Sequence, residues 1–335
     1  MSKPIIIDQL PEPPGIPRGS LIIPGDSTVS SGVNYSRLRE LSEEYRYYLR
    51  TDQLHTDSSV TTYTREVTRF LDWLEENPQA IGRETFLFYR EYLKSKYAPS
   101  SVNLALVGIR KYLNWLYDIG EISNNPALGV KGIRQRGRGK AHKKDALTPG
   151  EARRLLGLIP TDSAIGARDK ALIGVMLFGG LRTIEVRRAL IAHYRTRQNR
   201  RVLLLQGKGK AEAGEFSVIV PELEEMLSQW LSYHPNGSDP KAPLFCSLSR
   251  RTYGAPLSSS GIRRMVKDRF KEAGIRDLSK TTHSLRHSAI SAVIRGGGTL
   301  LQAQTFARHE SPDTTQIYIH ESDRLENPPE LLIQY

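Results

Sequence analysis

The chain has a single cysteine among 335 residues, so no internal disulfide can form. Cys246 lies in the apolar run Leu244-Phe245-Cys246 and reads as a small buried thiol, which suits a reducing compartment. No stretch approaches the ~18 consecutive apolar residues of a membrane span. The N-terminus also lacks the charged start and apolar core of a signal peptide. A cytoplasmic protein with no membrane partner is expected. No acidic cluster has metal-binding spacing, and neither an HExxH motif nor a cysteine pair occurs, so no metal site or cofactor is expected. Acid is outnumbered by base. Lys and Arg number 48 against 36 Asp and Glu, a formal charge of +12 that favours a polyanionic partner, nucleic acid first.

What is present is enough apolar sequence, 39% of the chain, for two cores. Residues 1–34 carry Pro4, Pro11, Pro13, Pro14, Pro17 and Pro24 and predict a loosely docked or mobile arm. Helical periodicity follows. Leu38, Leu41, Tyr45, Tyr48 and Leu49 make one apolar stripe, and Val60, Tyr63, Val67, Phe70, Leu71 and Leu74 another. A segment near 83–96 and one carrying Val102, Leu106, Ile109, Leu113 and Leu116 complete a four-helix module over 35–130. Trp73, Tyr112 and Trp115 read as its core. Residues 131–145 form a basic linker that includes Lys131, Arg134, Arg136, Arg138, Lys140, Lys143 and Lys144 and cannot fold by itself. It reads either as a solvated connector or, in so basic a chain, as a strand laid along phosphates.

A second domain over 146–320 opens with the capping signal Thr148-Pro149-Gly150-Glu151. Helices are expected to about Leu190, then a hairpin of Val202–Leu205 and Ser217–Val220, then helices from Pro221 and from Ser258 to Gly274, and mostly helix onward. On the 258–274 helix Ile262, Val266 and Phe270 face inward, leaving Arg263, Arg264, Lys267 and Lys271 on a basic face, solvated or groove-facing. The fold class expected is mainly α with a small antiparallel β-sheet.

Four sites in this domain belong together chemically. Arg182 and Glu185 follow the Gly179-Gly180 pair, and Lys208 and Lys210 lie in the hairpin turn Gln206-Gly207-Lys208-Gly209-Lys210. His283, Arg286 and His287 share a helix start, with His283 and Arg286 three apart on one face. His309 precedes Tyr318 by nine residues. Guanidinium forks match phosphate oxygens and neutralise a five-coordinate transition state. Histidine moves protons near neutral pH, lysine protonates a departing alkoxide, and a tyrosine hydroxyl acts as covalent nucleophile. Together they are equipment for phosphoryl transfer.

In order and spacing, including 23 residues from Arg286 to His309, this set resembles the tyrosine recombinase and phage integrase family, over roughly 36–320. The resemblance implies a two-domain DNA clamp, with a SAM-like core-binding domain preceding the catalytic domain, and site-specific recombination of double-stranded DNA. It further implies that Tyr318 attacks the scissile phosphate, Arg182 and Arg286 hold its non-bridging oxygens, Lys208 protonates the leaving 5′-oxygen, and His283 and His309 complete proton handling. Glu185 matches the family's supporting acid and His287 a helix histidine that packs behind the site. The tail 321–335, with Leu325, Leu331, Leu332 and Ile333, is expected to dock on another protomer of a homotetramer on two DNA sites, or on a related recombinase, the alternative being a tail folded back onto its own domain. In one place the chain departs from the pattern: Arg308 stands where the family has glycine.

Other readings stay open. Lys210 competes with Lys208 for the acid role, and His283 with His287 has the spacing of half a zinc site. A non-catalytic DNA-binding regulator would share the charge, and a type IB topoisomerase would share nearly the same site.

Overall fold

A computed structural model of the chain describes residues 34–53, 55–78, 81–133, 146–207, 213–316, 318, 328 and 331. These fall into two compact units, one up to residue 133 and one from residue 146. The expected class holds: the structure is mainly helical with a small antiparallel sheet. Among the described residues no helix is long and apolar enough to cross a membrane.

The first unit consists of α1 (Tyr35–Thr51), α2 (Asp57–Glu76), α3 (Arg83–Lys96) and α4 (Pro99–Asp118). Side-chain oxygens of Asn34 and Thr56 accept N–H groups in the first turns of α1 and α2, and Pro99 opens α4. The apolar stripes meet in one core containing Leu41, Tyr45, Val67, Phe70, Tyr89 and Ile109. Trp73, Tyr112 and Trp115 are buried there, and the Tyr112 hydroxyl donates to the Leu38 carbonyl at 2.8 Å.

The second unit is built on α6 (Ala164–Phe178), apolar apart from Arg168-Asp169-Lys170 and largely buried by its neighbours. Around it lie α5 (Pro149–Leu158), α7 (Thr183–Arg188), α8 (Pro221–Ser232), α9 (Ser259–Glu272) and α10 (Thr282–Arg295), followed by the short α11 (Leu300–Ala307) and α12 (Pro312–Gln316). Trp230 is fully buried and donates its indole N–H to Leu244 O at 2.7 Å. Buried Asp169 on α6 takes hydrogen bonds from Arg168 and, at 2.7 Å, from Arg269 of α9, tying those helices together. Cys246 is buried in the same core.

The sheet has three strands in the order β1 (Tyr194–Arg197), β2 (Arg200–Leu205) and β3 (Glu215–Val218), all antiparallel. Two differences from the sequence expectation have physical causes. The first strand was not anticipated because Tyr-Arg-Thr-Arg is an almost wholly exposed edge with no apolar alternation. Its tight turn uses positive φ at both Gln198 and Asn199. The third strand lies two residues earlier than the Val-Ile-Val run suggested. Leu205 pairs with Glu215 and Val202 with Val218, and Val220 already serves as the N-cap position of α8.

Candidate active site

The site grows from the end of α6. There the chain turns through Gly179 and Gly180, the latter at φ +60°, and a Cβ on Gly180 would lie 2.8 Å from the Phe306 ring. Glycine is required by both the dihedral and the packing. The close approach that Gly180 permits is to Phe306 of α11. Arg182 then caps α7, and Glu185 folds back on it: Oε2 accepts the Arg182 backbone N–H at 2.7 Å and Oε1 accepts Nη1 at 2.8 Å. The Glu185 side chain is 0% exposed. Burial pushes its pKa up, but the Arg308 charge and the Arg182 hydrogen bonds outweigh this and hold it below the ordinary carboxyl value.

From α10, buried Arg286 donates to the carbonyls of Gly180 and Ala307. Burial, together with the Arg182 and Arg308 guanidinium groups, pushes its pKa down to about 9. Three guanidinium groups thus lie close together, and two of them, Arg182 and Arg308, bond the Glu185 carboxylate. Such a site favours an incoming anion, which would relieve the repulsion.

The third guanidinium was not assigned a role from sequence. Arg308 follows α11 with left-handed backbone, φ 53° and ψ 50°, and this explains why glycine suits the position. Its side chain, 6% exposed, turns inward and donates to Glu185 Oε2 at 3.0 Å. The room that the sequence left in question is found in the interior, against Glu185. His309, next along, is fixed by a contact of Nδ1 with Thr315 Oγ1 at 2.9 Å and by Gln304, whose side-chain amide donates to His309 O at 3.1 Å. Buried Thr315 is a second residue that sequence reasoning missed. It lies three positions before Tyr318, and nothing in its local pattern marks it.

Tyr318 is buried, and its ring lies 6.2 Å from that of His309, stacked at 25°. Its hydroxyl meets His287 Nδ1 at 2.5 Å. Burial pushes the phenol up to about 12, against the opposing pull of Arg286 and Arg182. His287, read from sequence as packing behind the site, therefore touches the phenol directly.

Arg182, Glu185, Arg286, His287, His309 and Tyr318 thus form one cluster. His283 is exposed on the first turn of α10, beside Thr282, whose hydroxyl lies 3.2 Å from that of Thr183 on α7. The cluster adjoins a groove of about 790 Å³ between β3 and α11, with Phe178, Phe216, Val218, Leu301, Arg308 and His309 among its lining.

Lys208 and Lys210 lie outside the described residues, as do Arg134, Arg136, Arg138, Lys140, Lys143, Lys144, the arm 1–33 and the tail residues Leu325, Leu332 and Ile333. Gly207, at the end of the β2 arm, is held through its carbonyl by Arg188 Nη1 at 2.9 Å. Lys131 is exposed in the first unit, and Arg263, Arg264 and Lys267 are exposed on α9. Among the described residues, no group of three or more His, Cys, Asp or Glu side chains is placed to hold a metal ion.

The chain matches known proteins in sequence and in fold. Residues 145–324 match the phage integrase family, and residues 43–120 match the phage integrase N-terminal SAM-like domain. A tyrosine recombinase of Synechocystis sp. is 29% identical over 235 residues, covering 69% of this chain and 72% of the relative. The tyrosine recombinase XerD of Lacticaseibacillus casei is 25% identical, covering 85% of this chain and 94% of the relative. Among solved structures, the XerH site-specific recombinase in a post-cleavage complex with palindromic difH substrate superposes with a TM-score of 0.68 at 18% identity, over 90% of this chain and 85% of that one. A lambda integrase dimer bound to a COC′ core site gives 0.65 at 14% identity, over 85% and 96%. At these identities the structural likeness establishes the fold, while the family match spans more than half of the sequence. The chain belongs to the phage integrase family of tyrosine recombinases.

Proposed function

We propose that the chain is a site-specific DNA recombinase that cleaves and rejoins strands through Tyr318. The phenol oxygen bonds to the scissile phosphorus as the bond from phosphorus to the 5′-oxygen breaks, leaving a 3′-phosphotyrosyl link and a free 5′-hydroxyl. The phenol proton passes to a neighbouring histidine, and Lys208 supplies the proton that the 5′-oxygen takes up. Arg182 and Arg286 hold the non-bridging oxygens, Glu185 keeps Arg182 in place, and His283 and His309 contribute proton handling and phosphate contacts. Because the phosphotyrosine conserves the ester, attack by another strand's 5′-hydroxyl reverses the step without ATP.

One observation carries this reading: the Tyr318 hydroxyl is buried against His287 and feels the charge of both Arg286 and Arg182. The exposed Arg263, Arg264 and Lys267 on α9, with Lys131 and the basic stretch after it, supply further charge for the DNA backbone. We read the assembly as a homotetramer on two DNA sites, or one shared with a related recombinase, the tail crossing to a neighbour. The setting is the bacterial cytoplasm, at the nucleoid.

The test uses covalent capture. Duplexes from a random-sequence pool that become linked to the full-length protein define its site, and a nicked suicide duplex carrying that site is then run on a denaturing gel. Wild type gives a protein–DNA adduct, in excess EDTA as well, and Tyr318→Phe gives none. An adduct that survives Tyr318→Phe overturns the nucleophile, binding without any adduct favours a regulator, and relaxation of supercoiled plasmid lacking the site favours a topoisomerase.

A further inference from the structure

The side chain of Arg308 and the backbone around it are laced in both directions to the turn that carries Arg182. Arg182 Nη2 donates to Arg308 O at 3.2 Å, and Arg286 donates to Ala307 O. In return, the Arg308 guanidinium donates to Gly180 O at 3.1 Å and Gly179 O at 3.4 Å, to Phe306 O at 2.9 Å, and to Glu185 Oε2 at 3.0 Å. This occurs at a residue whose left-handed backbone is strained for any side chain beyond Cα.

We propose that Arg308 is a positioning residue for DNA cleavage, a third guanidinium that grips the Glu185 carboxylate and the Gly179 and Gly180 carbonyls, and so presets Arg182 and Arg286 before a phosphate arrives. This rests on the recombinase reading above and deepens it. Arg308 is almost wholly buried, so it acts through Glu185 and the turn rather than on DNA. Glu185 Oε2 serves two donors, the Arg182 backbone N–H and Arg308. With Arg308 gone, a fully buried carboxylate is left to Arg182 alone, and either it protonates or the α7 turn shifts; both loosen Arg182.

The charged groups facing this pair are Arg182 at the start of α7, Arg286 from α10 and Glu215 from β3, while Tyr318 faces Arg286. Arg308 is the largest favourable charge acting on Glu185. Its removal therefore raises the pH at which Glu185 takes a proton, and the acid limb of cleavage moves upward.

The experiment compares full-length wild type, Arg308→Gly, Arg308→Lys and Arg308→Gln on the nicked duplex bearing the covalently captured site, measuring DNA affinity and the adduct rate across pH. Glycine is at ease with left-handed backbone, so a loss in Arg308→Gly cannot come from strain. The expected result is unchanged affinity, an adduct rate roughly tenfold to a hundredfold lower at neutral pH, and an acid limb displaced upward. Arg308→Lys keeps the wild-type limb and recovers part of the rate, while Arg308→Gln shifts the limb as glycine does. A wild-type rate and limb in Arg308→Gly overturns the proposal, and so does a fall in affinity that accounts for the whole loss. Should the glycine variant not fold, equal limbs in the lysine and glutamine variants overturn it. Failure of wild type to form any adduct sinks the recombinase reading instead, and the proposal with it.

Discussion

The hydroxyl of Tyr318 and Nδ1 of His287 are 2.5 Å apart, which places a proton carrier on the phenol that the proposed reaction must ionise. With Tyr318 pushed up to about 12, hardly any phenolate exists at neutral pH. A base that takes the proton as the bond to phosphorus forms removes that handicap. His287→Ala should therefore lower adduct formation by roughly a hundredfold at pH 7, at the low end of what general acid–base catalysis contributes. The pH profile gives the sharper check. A variant without the base depends on pre-ionised phenol, so the logarithm of its rate should climb with a slope near one toward the phenol pKa, while wild type levels off earlier. Parallel profiles for the two proteins would leave His287 a packing residue.

Glu185→Gln keeps the size of the side chain but removes the carboxylate that Arg182 and Arg308 both bond. Breaking a buried ion pair by removing one partner costs about 3–5 kcal/mol, to be read as a lower midpoint in urea at pH 7. The sign with pH follows from the direction of the shift. Glu185 is held below its ordinary value in the folded protein, so its contribution is complete above the unfolded carboxyl value of ~4.3 and is lost as pH falls through the folded value. The gap between wild type and variant should hold steady from pH 8 to about 5 and close in acid. A constant gap down to pH 3 would count against an ionised Glu185.

Lys208 and Lys210 are separated by chemistry rather than by geometry. A 5′-bridging sulfur leaves as a thiolate and needs no proton. On such a phosphorothiolate duplex, Lys208→Ala should form adduct at nearly the wild-type rate while remaining severely impaired on the oxygen duplex. Lys210→Ala should show no such rescue. Rescue of Lys210→Ala alone would exchange the two assignments.

The sequence made the helices legible where burial is one-sided. Leu38, Leu41, Tyr45 and Leu49 repeat at the helical period because α1 presents one face to the core. The edge strand at Tyr194–Arg197 was invisible because exposure leaves no periodic signal. At the site, Arg182, Arg286, His309 and Tyr318 could be picked out as a set because their chemistry is rare in combination. Arg308 and His287 could not be given their contacts in advance. Which way a guanidinium turns from a left-handed residue, and which imidazole meets a phenol nine residues after His309, depend on how α10, α11 and α12 pack, and no local pattern encodes that.

On α9 the same one-sidedness makes a prediction about DNA. Ile262, Val266 and Phe270 are buried, and Arg263, Arg264 and Lys267 project from the opposite, exposed side. Replacing those three by alanine should leave the unfolding midpoint nearly unchanged, since surface substitutions of this kind usually stay within about 0.5 kcal/mol. If each sits on a phosphate, each releases counterions on binding, and the slope of log K against log salt should shallow by about 0.9 per residue, near 2.7 for the triple variant. The loss of affinity should then be large at low salt and shrink as salt rises, with little change in which duplex is preferred, because phosphate contacts carry no base information. An unaltered slope would make this face a solvated one and move the backbone contacts to other elements of the chain.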